Sequence, residues 1–144
     1  MRYALDTNTV IAALNGVAPV PARLATLQAA DIMLPAPVVA ELYFGARASN
    51  RVHENVARID WLVALFGLQP FDEAAVRWFA EVKAELRKVG CAKSDFDLAI
   101  ASIALAHGAT LVTHDAALLD GAIVGLLVED WLAPAKAAAP RSPL

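Results

Sequence analysis

The feature that most restricts the fold of this chain is the alternation of short β-rich runs with segments of helical spacing. Such alternation is typical of an α/β domain, in which helices join strands that run mainly parallel. We predict strands at residues 3–5, 32–34, 68–71, 110–113 and 124–128, and helices at 7–14, 22–30, 37–49, 52–66, 72–89 and 94–107. The expected architecture is a central, mainly parallel sheet of four to five strands flanked by helices.

Several predicted helices are bounded by residues that favour helix ends. Asn15 and Gly16 end the first helix, and Gly108 is expected to end the last one in a left-handed conformation. Asp72 is a preferred residue for the position that caps a helix N-terminus, and the long helix follows it directly. These signals fix the segments between which the polar residues of a site would lie.

The length of 144 residues fits one domain, which we place at residues 1–132. Residues 133–144 are rich in Ala, Pro and Ser without periodicity, so we expect a disordered tail there. Although 58% of the residues are hydrophobic, no run approaches the roughly 18 to 20 apolar residues of a membrane span. Arg2 and Asp6 interrupt the apolar N-terminus, which argues against a secretory segment, and we expect a cytoplasmic protein.

The charge and the cysteine content exclude two classes of protein. A net charge of −3 argues against a protein that coats nucleic acid, because phosphate neutralisation needs a surplus of Lys and Arg. It does not exclude a nuclease, since bound divalent cations invert the sign of an acidic site. The lone Cys91 excludes an internal disulfide and argues against a thiolate metal cage.

Two acidic residues follow predicted strands. Asp6 comes directly after the first strand and Asp115 just after the fourth. Ligands of open parallel sheets lie at the carboxyl ends of the strands, so these acids would meet if their strands are neighbours. The alternatives are structural: Asp6 could cap the helix that follows it, and Asp115 could be a turn residue.

Two further acids lie on predicted helices. Glu41 shares a helix face with Val38 and Gly45 and has no oppositely charged partner one turn away, so its charge needs a cation or hydrogen-bond donors. Asp97 lies in the first turn of a helix that is apolar nearly all round, which indicates burial. Asp97 could instead form a capping box with Ser94, and Glu41 could be an ordinary solvated residue.

Asp95 competes with Asp97 for the same position. Two residues apart on a helix, they cannot face the same way. Asp97 lies in line with the apolar residues of the inward face, so we favour it as the ligand. We place Asp95 at the rim, where it could touch a second metal or a water.

Carboxylates from four separate segments suit a hard, oxygen-preferring cation such as Mg²⁺, with Mn²⁺ as a substitute. Zinc would require His or Cys ligands, and His53, His107 and His114 lack ligand spacing. Strand alternation turns His114 away from Asp115. Neither of the Gly-rich loops that cradle phosphates is present in the sequence.

In the segments that carry these acids, the chain resembles the PIN-domain ribonucleases, most closely the VapC toxins of bacterial toxin–antitoxin pairs. The resemblance rests on five segments in register: LDTN at 5–8, VVAELYFG at 38–45, DFDLAIA at 95–101, GATLVTHD at 108–115 and GLLVEDW at 125–131. It covers nearly the whole chain. It implies a PIN-like three-layer fold and a metal-dependent endoribonuclease.

The resemblance also implies residue roles and partners. It assigns metal coordination and catalysis to Asp6, Glu41, Asp97 and Asp115, with Thr7, Asn8, Thr113 and Asp95 as supporting polar groups. Where many relatives place a polar residue three positions after the fourth acid, this chain has Leu118, so Asp120 is an outside candidate. The implied partners are a tRNA or rRNA substrate, a VapB-type antitoxin and a second copy of the chain.

Two rival functions remain open at this point. A haloacid-dehalogenase-like phosphatase also begins with an Asp after its first strand, but it needs a second Asp where this chain has Asn8. A catalytically inactive RNA-binding or protein-interaction module could keep the fold with a degenerate site. The presence of all four carboxylates argues against that second alternative.

Overall fold

A computed structural model describes residues 1–133, in which strands alternate with helices. The five strands are β1 (Tyr3–Leu5), β2 (Ile32–Pro35), β3 (Leu68–Gln69), β4 (Thr110–Val112) and β5 (Val128–Glu129). The seven α-helices of this part of the chain are α1 (Thr7–Leu14), α2 (Val20–Ala25), α3 (Ala36–Arg47), α4 (Val52–Phe66), α5 (Glu73–Lys88), α6 (Asp95–Ala106) and α7 (Ala116–Leu119). The predicted disordered tail falls outside the described residues, apart from Ala133.

All four strand pairs are parallel, in the order β3-β2-β1-β4-β5. The prediction of a mainly parallel sheet of four to five strands flanked by helices is therefore confirmed. From β1 the chain builds the sheet outward through β2 to β3, and then returns to add β4 and β5 on the other side of β1. The strand order thus reverses between β1 and β4, which is where parallel sheets bind their ligands.

The core consists of the sheet and the helix faces that pack on it. β2 is buried along its whole length, and Leu34 of β2 and Leu111 of β4, on the two sides of β1, are fully buried. Helix α6 buries Leu98, Ile100 and Ile103, as its apolar sequence predicted. Burial on this scale contributes about 1.5–3 kcal/mol per large aliphatic side chain. The start of α6 is therefore held firmly at the edge of the sheet.

Helix boundaries agree with several of the sequence signals. Helix α1 ends at Leu14 with Asn15 as its cap, and Asp72 caps α5 by accepting a hydrogen bond from the Ala75 N–H at 3.1 Å. Gly108 follows α6 with a φ of +58°, a conformation that costs a residue with a Cβ more than it costs glycine. No helix within residues 1–133 is both long enough and apolar enough to cross a membrane.

Three predicted elements were wrong in their bounds, and one was missed. The strand predicted at 68–71 is only Leu68–Gln69, because Pro70 has no N–H to donate to a strand ladder. The helix predicted at 22–30 begins at Val20 and ends at Ala25, because the Thr26 hydroxyl bonds the Arg23 carbonyl at 2.7 Å; a short 3-10 turn follows at Ala29–Asp31. The strand predicted at 124–128 is only Val128–Glu129, since Gly125 turns the chain with a φ of +84°. The short helix α7 was not predicted.

Candidate active site

The candidate site lies at the carboxyl ends of β1 and β4, where the strand order reverses. Asp6 follows β1 directly, and its backbone N–H donates to the Val112 carbonyl at the end of β4. Thr113 and Asp115 follow β4. The register of Leu5 with Val112 shows that the two strands are neighbours, which is the condition under which Asp6 and Asp115 were expected to meet.

Asp6 is the most buried of the acids, with 9% of its surface exposed. Its Oδ1 accepts the Thr7 N–H at 2.8 Å, which caps α1, and its Oδ2 accepts the Thr113 hydroxyl at 2.7 Å. Burial raises the pKa of Asp6 above its ordinary value, against the hydrogen bonds from Thr113 and Thr7. The charges of Glu41 and Asp115 raise this pKa further, so both carboxylates lie within electrostatic range of Asp6.

Thr113 joins two of the acids. Its side chain is fully buried, and its hydroxyl donates to Asp6 while accepting the Asp115 N–H at 3.1 Å. The Asp115 carboxylate in turn accepts the Ala117 N–H at 2.9 Å and so caps α7. The Thr113 hydroxyl therefore fixes both the Asp6 carboxylate and the backbone of Asp115.

Glu41 reaches the site from the middle of α3. The Thr7 hydroxyl donates to its Oε2 at 2.5 Å, which links α3 to the start of α1. Glu41 is exposed, so the desolvation expected from its apolar neighbours in sequence was wrong. It lines a groove of about 270 Å³ between α1, α3 and α4, together with Ile11, Leu42 and Arg58.

Asp97 lies half-buried in the first turn of α6, whose N-terminus is capped by Ser94. The Ser94 Oγ accepts the Asp97 N–H at 3.1 Å, which is the Ser94 half of the capping box considered from the sequence. Burial raises the pKa of Asp97, and the Ser94 hydroxyl opposes that rise. The charges of Asp115 and Asp6 raise this pKa further, so Asp97 lies within electrostatic range of these two acids.

These four carboxylates are of the chemical type that could hold a hard divalent cation. Each ionised carboxylate offers two oxygens and about four lone-pair positions, so oxygens that accept a cap hydrogen bond keep lone pairs for other donors or ions. Carboxylate oxygens are the ligands that Mg²⁺ and Mn²⁺ prefer. Among the residues with a described structure, however, no three acidic, His or Cys side chains are grouped tightly enough to form a ready-made cage. We refer to Asp6, Glu41, Asp97 and Asp115 together as the acidic patch.

Of the predicted supporting residues, only some contact the four carboxylates in the structure. Thr7 and Thr113 contact the carboxylates of Glu41 and Asp6, whereas Asn8 is exposed on α1. The Asp95 carboxylate is paired with Lys83 of α5 at 2.7 Å, and both side chains are exposed. That ion pair directs Asp95 toward α5.

The structure also shows the contacts of three further polar residues, Asp120, His114 and Thr9. The Asp120 carboxylate pairs with Lys93 at 2.7 Å, and its pKa is lowered mainly by that hydrogen bond. His114 is turned away from the site toward Asp130, at 2.8 Å, in agreement with strand alternation. Thr9 was missed: it is fully buried and its hydroxyl donates to the Val112 carbonyl at 3.3 Å, a contact that no local sequence signal indicates.

Comparison with known proteins identifies the family. The PIN-domain family model matches residues 3–123. The chain is 30% identical over 133 residues to ribonuclease VapC2 from Rickettsia felis, covering 91% of this chain and 98% of that protein. It is also 30% identical over 132 residues to a tRNA(fMet)-specific endonuclease VapC from Shigella flexneri, with 91% and 98% coverage.

A solved structure agrees with these matches. The crystal structure of VapBC2 from Rickettsia felis, bound to a DNA fragment from the promoter, contains a chain that superposes with a TM-score of 0.80 at 30% identity. The superposition covers 91% of this chain and 99% of that one. Because the family model and relatives matched along nearly their whole length agree, this chain belongs to the PIN-domain family, among its VapC proteins.

Proposed function

We propose that the chain is a metal-dependent endoribonuclease that acts as the toxin of a toxin–antitoxin pair. The observation that carries the proposal is the arrangement of Asp6, Glu41, Asp97 and Asp115, which come from four segments near the point where the sheet reverses its order. Asp6 lies within electrostatic range of Glu41 and Asp115, and Asp97 lies within range of Asp115 and Asp6. Ribonuclease relatives with the same fold support RNA as the substrate.

The donor set fits Mg²⁺, with Mn²⁺ as a substitute, because it consists of carboxylates from separate elements. Asp6, Glu41 and Asp97 would hold the principal ion, and Asp115 would lie beside a second ion or the attacking water. When bound, such an ion lowers the pKa of water and offsets negative charge on a phosphodiester. Like charges repel, so these carboxylates lose mutual repulsion when a cation neutralises them.

The side chains around the acids orient them. The Thr7 hydroxyl holds Glu41, and the Thr113 hydroxyl holds Asp6 while accepting the Asp115 N–H. Hydroxyl donors also favour the ionised form of each carboxylate, which is the form that binds cations. The nucleophile in the proposed hydrolysis is a water molecule, so no side chain has to act as a covalent nucleophile.

Relatives indicate the substrate and the partners. The Shigella flexneri relative is named for cleavage of initiator tRNA, and we propose a structured RNA of the tRNA or rRNA class here. The Rickettsia felis structure contains a VapB antitoxin with its VapC, so we propose a VapB-type antitoxin as the partner of this chain. We also propose that the active toxin is a homodimer.

The phosphatase alternative has lost its support, because the family match is to the PIN domain. The inactive-module alternative makes a distinct forecast: its acids would bind no cation and cut no RNA. Cation binding and RNA cleavage can both be measured on the purified chain.

The test is cleavage of a tRNA pool by the purified chain with Mg²⁺, with Mn²⁺ and with EDTA. We expect cleavage with either ion, none in EDTA, and none for Asp6→Asn. Asp72→Asn is the matched control, because Asp72 also caps a helix but lies on α5, outside the acidic patch. Undiminished cleavage by a folded Asp6→Asn protein, or cleavage in EDTA, would refute the proposal.

A further inference from the structure

A nearly buried lysine lies beside the acidic patch. Lys93 belongs to the loop between α5 and α6, and only 3% of its side chain is exposed. Its ammonium donates to the Ala117 carbonyl and, at 2.7 Å, to the Asp120 carboxylate. A buried ammonium loses its hydration, so both acceptors are needed to compensate for that loss.

These contacts connect the two segments that carry Asp97 and Asp115. Lys93 directly precedes Ser94, the cap of α6, and Asp97 lies in the first turn of that helix. Its acceptors Ala117 and Asp120 belong to α7 and its C-terminal cap. Lys93 therefore ties the start of α6 to both ends of a helix with only four residues.

The Ala117 backbone makes the connection to Asp115 direct. Its N–H donates to the Asp115 carboxylate at 2.9 Å, while its carbonyl accepts the Lys93 ammonium. A four-residue helix has too few internal hydrogen bonds to hold itself, so external contacts decide its position. The direction of the Asp115 carboxylate consequently depends on where Lys93 holds the Ala117 peptide.

We propose that Lys93 is a positioning residue, which fixes α7 and thereby aims Asp115 at the acidic patch. The inference rests on the proposed nuclease function for its effect on catalysis, but its effect on α7 does not.

A double-mutant cycle tests the proposal by kinetics. Because small displacements of a catalytic group can cost about a hundredfold, we expect Lys93→Met and Asp115→Asn each to lower kcat about a hundredfold. The KM for RNA should stay within about twofold, as expected when binding is unaffected. The double variant should be no slower than Asp115→Asn, since both changes remove the same contribution. Lys88→Met, an exposed lysine on α5, is the matched control and should leave kcat unchanged.

A second measurement keeps the test independent of cleavage. Amide hydrogen exchange at residues 116–119 should accelerate in Lys93→Met and stay unchanged in Lys88→Met. Asp120→Asn weakens the same contact from an exposed position and should give a smaller acceleration, so the test survives if Lys93→Met does not fold.

Multiplicative losses in the cycle, or unchanged exchange at α7 in both Lys93→Met and Asp120→Asn, would overturn the inference. Absence of cleavage by the wild-type chain would instead refute the proposed nuclease function. The exchange measurement would still decide whether Lys93 positions α7.

Discussion

Replacing Thr113 with valine should test how the site holds its buried carboxylate. Valine keeps the shape of threonine but removes a hydroxyl that is fully buried between Asp6 and Asp115. The lost hydrogen bond to a charged group costs about 1.5–3 kcal/mol, and the unsatisfied Asp115 N–H about 1 kcal/mol. We expect a total near 3 kcal/mol, or about a 10 °C drop in Tm for a domain of this size.

The cost should depend on pH because the Thr113 hydroxyl favours the ionised form of Asp6. Burial raises the folded-state pKa of Asp6 above 3.8, and removal of the hydroxyl raises it further. Above both folded-state pKa values the carboxylate is charged and the full cost of Thr113→Val is present. As the pH falls through the folded-state pKa of Asp6, the carboxyl becomes neutral and part of the cost disappears.

Thr9→Val is the matched control. Thr9 is equally buried, and its hydroxyl donates to the neutral Val112 carbonyl at 3.3 Å. Its loss should cost about 1 kcal/mol at every pH. The free energy of unfolding would be measured by urea denaturation in EDTA at neutral and mildly acidic pH. If Thr113→Val costs no more than Thr9→Val, or if its cost does not shrink with falling pH, the assignment of Thr113 is refuted.

Three further predictions concern the acids and their proposed cation. Asp97→Asn should remove nearly all cleavage, whereas Asp95→Asn should lower the cleavage rate about tenfold or less, because the Asp95 carboxylate is turned toward Lys83. Cleavage rates and Tm values of both variants test this, and the reverse pattern would show that Asp95 is the ligand. Saturating Mg²⁺ at a hundred times its Kd should stabilise the wild type by about 2.7 kcal/mol. In EDTA, Asp6→Asn should melt above the wild type at neutral pH, because burial and two neighbouring acids disfavour the Asp6 charge, and an unchanged Tm would contradict this reasoning.

The sequence predicted the parts of the site that depend on local order. Asp6 follows β1 directly, so its place at the sheet edge followed once the strand was recognised. The burial of α6 followed from its apolar composition, which put Asp97 at the start of an inward-facing helix. The position of Glu41 opposite Thr7 depends on the packing of α3 against α1, and its exposure was not apparent from its sequence neighbours.

Contacts between distant segments could not be predicted in this way. Lys93 and Asp120 are 27 residues apart, and Lys83 and Asp95 belong to two helices whose packing was unknown. A lysine in a polar loop is expected to be solvated. The burial of Lys93 is apparent only when the loop before α6 is placed against α7. The start of β5 was missed for a related reason: the positive φ at Gly125 decides it, while the apolar run around that glycine suggested a longer strand.

The sequence presented a structural role as the alternative to metal binding for both acids, a helix cap for Asp6 and a turn for Asp115. In the structure both carboxylates cap helices, and such a cap is compatible with metal binding. The Asp6 and Asp115 carboxylates each accept one backbone N–H, from Thr7 and Ala117 respectively. An ionised carboxylate has about four lone-pair positions, so one cap leaves others for a cation. The cap also restricts the side-chain rotamer, and a ligand already held in one rotamer loses less entropy when it binds. Capping by these two acids therefore prepares the proposed metal site.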